Sequence, residues 1–82
     1  MNIAKKFRKK PVEVAAIQYT GNNRDALEAF VKPNIYAFGW IYTPEGQINF
    51  RAGDWIIKGV KGEFYPIKND IFLATYEEVI KP

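Results

Sequence analysis

The sequence predicts an α+β fold, with one helix packed on a curved, mainly antiparallel sheet of about five or six strands. The same pattern could also close that sheet into a partly open small barrel. Three observations lead there. One stretch, around residues 23–32, carries apolar residues at helical spacing. The stretches around it are β-branched and aromatic, or alternate with a period of two. Turn residues, several of them glycine, separate these stretches.

Residues 1–10 read as a basic arm ahead of a single domain over 11–82. Pro11 suits the start of an edge strand, where a missing N–H matters least, and residues 12–20 suit an extended segment. Gly21 and Asn22 break that segment. Asn22 or Asn23 can then cap a helix with Asp25 in its first turn. Leu27, Phe30 and Val31 form its one apolar stripe, which predicts that Leu27 and Phe30 are buried against the sheet. Lys32 suits the C-terminal end of this helix, and Pro33 stops it at the preceding residue.

From residue 39 the period is two. Trp40 and Tyr42 alternate with Ile41 and Thr43, and Ile48 and Phe50 with Gln47 and Asn49. Thr43-Pro44-Glu45-Gly46 lies between them, so residues 39–50 read as a hairpin. Ala52-Gly53-Asp54 is a further turn, where the Asp54 carboxylate can accept from nearby backbone N–H groups. Trp55–Lys58 and Glu63–Ile67 read as strands of a second hairpin bracketed by Gly59 and Gly62. Asn69-Asp70 can cap one short helical turn over 71–73, and residues 75–79 suit a last strand.

Composition narrows the chemistry. The 82 residues include no cysteine, no histidine and no serine. The usual thiolate and imidazole metal ligands are therefore missing, as are the commonest nucleophiles and the commonest neutral-pH base. Neither a cofactor nor a metal is expected. Glu77 and Glu78 are adjacent, but on a strand they would point to opposite faces and could not share a substrate. Asp54 and Asp70 have turn-capping roles, and no phosphate-loop or dinucleotide fingerprint occurs. Binding, rather than catalysis, is the expected activity.

A chain this short has a thin stability margin and no disulfide to widen it, so dense aromatic packing or self-association as a homodimer is the expected remedy. Aromatic residues make up 16 % of the chain, and most of their rings should be core. No apolar run approaches the ~20 residues needed to span a bilayer, and no secretory signal is recognisable. A cytoplasmic location without membrane partners is expected.

Charge is unevenly spread. Lys5, Lys6, Arg8, Lys9 and Lys10 hold five of the twelve cations, whereas from residue 11 onward seven cations face nine acids. The arm could meet the phosphates of a nucleic acid, and aromatics on a sheet face could stack unpaired bases. Alternatively, Arg51, Lys58, Lys61 and Lys68 surround a hairpin carrying Trp55 and Tyr65. A stacked base with its phosphates held by Lys and Arg needs that inventory, although each lysine would be equally at home on a solvated hairpin tip. A protein partner would use exposed aromatics such as Trp40 and Tyr65 without needing the cations. The candidate ligand-binding set is thus Trp40, Arg51, Trp55, Lys58, Lys61, Tyr65 and Lys68.

A longer pattern stands over this inventory. Gly53-Asp54-Trp55-Ile56-Ile57 is followed by Gly59, by Gly62-Glu63-Phe64-Tyr65-Pro66, and by Asp70-Ile71-Phe72 with Thr75-Tyr76-Glu77. It resembles a widespread group of small bacteriophage and prophage proteins that share the signature G-D-W-I-I-x-G-x-x-G-E-F-Y-P and a following D-I-F-x-x-T-Y-E. The openings Phe7-Arg8-Lys9-Lys10-Pro11-Val12 and Ala16-Ile17-Gln18-Tyr19-Thr20-Gly21 are similar too, so the likeness spans nearly the whole chain outside the loop at 33–38. Ala52 stands where members often have Pro, and Ile67 where they often have Cys, so that Cys is not a required nucleophile or metal ligand in the group. The resemblance implies a phage accessory protein acting in the host cytoplasm, in host takeover or counter-defence. It would bind a host protein or sequester a phosphorylated, nucleotide-type ligand. Single-stranded nucleic-acid binding through residues 5–10 and the sheet aromatics is the alternative.

Overall fold

The computed structural model describes residues 3–8, 10–37 and 39–80. In chain order the elements are β1 (Ala15–Gln18), α1 (Arg24–Phe30), β2 (Ile35–Ala37), β3 (Trp40–Thr43), β4 (Gly46–Asn49), β5 (Trp55–Lys58), β6 (Phe64–Ile67) and α2 (Asn69–Thr75). The fold is α+β with antiparallel pairing throughout, as the alternation predicts. The strands do not form one sheet, however. They form two three-stranded sheets, ordered β1-β5-β6 and β2-β3-β4, and no closed barrel results.

The two sheets and α1 enclose the main core. Leu27 and Val31 of the α1 segment, Ile41 of β3 and Ile56 of β5 are fully buried, and Phe50 and Phe64 are nearly so. Each such aliphatic burial stabilises by about 1.5–3 kcal/mol. Leu27 meets the expectation of burial. Phe30 is only half-buried and packs its ring edge-on against Phe64, with centroids 5.7 Å apart. Tyr19 makes the same kind of contact with Phe50 at 5.2 Å.

Sheet β1-β5-β6 is covered on both faces. Cross-strand register puts Ile17, Ile56 and Pro66 on the core side, and Ala16, Ile57 and Tyr65 on the other. The second face is covered by α2. The Trp55 ring stacks on Phe72 at 4.0 Å and 8°, and Phe72 continues the stack to Tyr76 at 5.1 Å. Trp55 Nε1 donates to Asn69 Oδ1 at 2.9 Å, and Gln18 Nε2 donates to the same oxygen at 3.2 Å. Ile57 is fully buried in this second layer.

Several expectations are corrected. The first strand spans four residues rather than 12–20, because its partner β5 supplies only four pairing positions. Residues 33–38, outside the likeness and read as a loop, contain β2, too short to show a period. Helix α1 ends at Phe30 with Val31 at its C-cap, so Lys32 lies outside it. The Asn23 side chain does not cap α1. It accepts from the Thr20 N–H at 2.9 Å and donates to the Gln18 carbonyl at 2.6 Å. A second helix of seven residues replaces the single turn at 71–73, with Lys68 rather than Asn69 or Asp70 at its N-cap. Residues 76–80 form no strand. Thr75, the first residue of that expected strand, is taken into α2, its hydroxyl donating to the Ile71 carbonyl at 2.7 Å, and the Tyr76 ring stacks on Phe72.

Candidate functional site: a lysine-lined cleft between hairpin tips

Both hairpins end on the same side of the core. The β3–β4 turn is held by Thr43 Oγ1, which donates to the Gly46 carbonyl at 2.8 Å. The β5–β6 loop is held by three bonds: Gly59 N–H to Glu63 O, Gly62 N–H to Gly59 O, and Lys61 N–H to Glu63 Oε1. Between these tips, and beside the turn that follows α1, lies a cleft of about 510 Å³. Its three walls are Lys32–Asn34, Thr43–Glu45 and a third formed by Lys58, Lys61–Glu63 and Phe64. Phe64 is buried, and the Lys58 ammonium stands 6.0 Å from its ring centre.

The electrostatics are mixed, with a cationic excess. Lys32, Lys58 and Lys61 line the cleft together with Glu45 and Glu63. The Glu63 carboxylate is engaged by the loop backbone, and it occupies the space over Gly59 that a side chain there would need. Among the described residues the one ion pair is Arg24–Glu28 on the α1 surface, so the three lysines have no fixed carboxylate partner. Asn34 adds a neutral amide to the same wall as Lys32. Such a site can hold an anion with several oxygens through charge-assisted hydrogen bonds.

The seven candidate residues are not brought together. Lys58 and Lys61 line the cleft. Trp55 and Tyr65 lie on the opposite face of their sheet, engaged by α2, so they offer no stacking platform next to those lysines. Tyr65 is half-buried, and its phenol is pushed up to about 12, chiefly by burial and then by its hydrogen bond to Tyr76. Lys68 is exposed at the N-cap of α2. Arg51 is exposed in the turn before β5, where its N–H donates to Asp54 Oδ2 at 3.0 Å, the Asp54 role expected of that turn. Trp40 lies on β3 in the other sheet, apart from the other six candidates.

Strand parity carried part of this information, since Trp55 and Lys58 are three residues apart and must face opposite ways. Lys32, Asn34 and Thr43 were missed, and only the tertiary fold joins them to Lys58 and Lys61.

No family model, curated protein or solved structure matches the chain. Among the described residues no three Asp or Glu side chains group as a metal site would require. No helix among them is long and apolar enough to cross a membrane. Of the arm, the described residues Lys5, Lys6, Arg8 and Lys10 are exposed, while Lys9 lies outside the described residues.

Proposed function

We propose that the chain is a non-enzymatic binding protein that sequesters a small phosphorylated ligand in the cleft lined by Lys32, Lys58 and Lys61. One observation carries the reading: three unpaired lysines from three separate segments converge on one cavity. Its volume suits a small molecule of nucleotide size. The ligand would be recognised by its phosphates, because the exposed rings lie elsewhere. The resemblance to small phage proteins supplies the setting, a phage accessory factor acting in the host cytoplasm as part of host takeover or counter-defence.

Calorimetry with ATP and with inorganic triphosphate tests the reading. Lys58→Ala with Lys61→Ala, and Lys32→Ala separately, should each weaken binding by about tenfold or more, as for loss of charge-assisted hydrogen bonds. Glu45→Gln should tighten binding severalfold by removing a carboxylate from the wall. Deleting residues 1–9 should leave it nearly unchanged.

The exposed cations of the arm favour a second reading, single-stranded nucleic-acid binding. In that case the deletion alone would abolish binding, and log K would fall with log salt by about 0.7 per neutralised phosphate. That outcome would replace the first reading.

A further inference from the structure

The outer face of β2-β3-β4 differs in chemistry from the rest of the surface. Register and alternation place two cross-strand rows on it, Ile35–Tyr42–Gln47 and Ala37–Trp40–Asn49. The opposite face carries Tyr36, Ile41 and Ile48 into the core. Ile35 is 68 % exposed, Tyr42 46 % and Trp40 38 %. None of the six residues is charged, in a chain that is 26 % charged.

The whole molecule also shows more surface than its mass calls for. Its accessible area is 6985 Å², whereas a self-contained monomer of this mass exposes about 5,000 Å². Its radius of gyration is 14.6 Å, against about 12 Å for a compact chain of this length. The unpacked arm, with Phe7 and Ile3 exposed, and the segment after α2, with Val79 and Ile80 exposed, carry part of that excess.

We propose that this face seats a second copy of the chain, sheet against sheet, in a two-fold dimer. Three features select this occupant. In an isologous contact the same patch meets itself, so a face without charges leaves no unpaired charge to bury on either copy. The side-chain amides of Gln47 and Asn49 both donate and accept, so Gln47 of each copy can pair with Asn49 of the other. A nucleic acid would require cations on the face, and there are none. The ends of the β3–β4 hairpin complete the match, with Glu45 in the turn and Arg51 just beyond the last strand. A two-fold axis across the strands brings Glu45 of each copy toward Arg51 of the other.

Sedimentation velocity across the micromolar range tests the dimer, expected at twice the 9.5 kDa monomer mass. Gln47→Lys places an unpaired charge opposite Asn49 and beside Arg51 of the other copy, at an exposed position that takes no part in the core. It should raise the dimer dissociation constant tenfold or more in low salt, with partial recovery in high salt as repulsion is screened. Tyr42→Glu should leave the protein monomeric with an unchanged far-ultraviolet circular dichroism spectrum. A charge-swap pair, Glu45→Arg with Arg51→Glu, should restore what either change alone weakens. A monomer at every concentration up to the high-micromolar range would overturn the proposal. So would a dimer indifferent to Gln47→Lys.

Discussion

At the scale of single residues, Tyr65 shows how α2 binds its sheet. Its phenol is neutral and half-buried, and burial, the Tyr76 hydroxyl and then the Glu63 charge all disfavour ionisation. The sign of the resulting pH dependence follows directly. The folded protein holds this proton up to about pH 12, while the unfolded chain releases it near 10. The stabilisation is therefore complete below pH 10 and is lost as the pH rises toward 12. Urea midpoints measured across the alkaline range should fall more steeply for the wild type than for Tyr65→Phe. In a spectrophotometric titration, Tyr76→Phe should bring one late phenol back toward its ordinary range.

At the scale of elements, the two glycines of the β5–β6 loop have different jobs. Gly62 has φ +82° with open space around it, so the backbone conformation itself requires glycine. Gly59 has an ordinary φ, but a Cβ there would stand 2.5 Å from the Glu63 carboxylate. Gly62→Val should therefore destabilise by at least ~1 kcal/mol. Gly59→Ala should cost less than ~1 kcal/mol, because a flexible carboxylate can swing aside and give up one exposed hydrogen bond. Thermal melts that rank the two variants the other way would show that steric room, not φ, limits this loop. The same elements show what the sequence could reveal. The α1 stripe and both hairpins were legible because their signals, periodicity and turn residues, are local. Short β2 had no room for a period, and the partition into two sheets depends on long-range pairing that composition does not encode. Residues 75–79 carry strand-like side chains, but Thr75 is taken into α2 and the Tyr76 ring continues the stack on Phe72 instead. In the cleft, Lys58 and Lys61 were legible as neighbours in sequence, whereas Lys32 and Asn34 arrive only through the turn after α1.

At the scale of the whole molecule, one sheet is enclosed twice and the other once. Sheet β1-β5-β6 has the main core on one side and α2 on the other, while β2-β3-β4 leaves one side open. Binding and stability are thereby separated in space. The cleft lies at the mouth of the inter-sheet layer, and the open sheet face lies on the outside of the molecule. Changes to Gln47 or Glu45 should accordingly alter association or ligand affinity while leaving the unfolding free energy of the dilute, ligand-free monomer within about the ±0.5 kcal/mol usual for surface positions.

Strand β5 is central in its sheet, and its Ile56 and Ile57 are sealed from opposite sides. This position has a consequence in time. Amide protons of β5 can meet solvent only when both layers come apart, so in heavy water they should be the last to exchange, at a rate set by global unfolding. The layer on the α2 side rests on the stack of Trp55, Phe72 and Tyr76 and a few polar contacts, so it can lift away while the inter-sheet core stays shut. Amides of α2 should therefore exchange orders of magnitude sooner than those of β5. If mass-spectrometric exchange found α2 and β5 losing protection together, the chain would open as one cooperative unit instead of shedding α2 first.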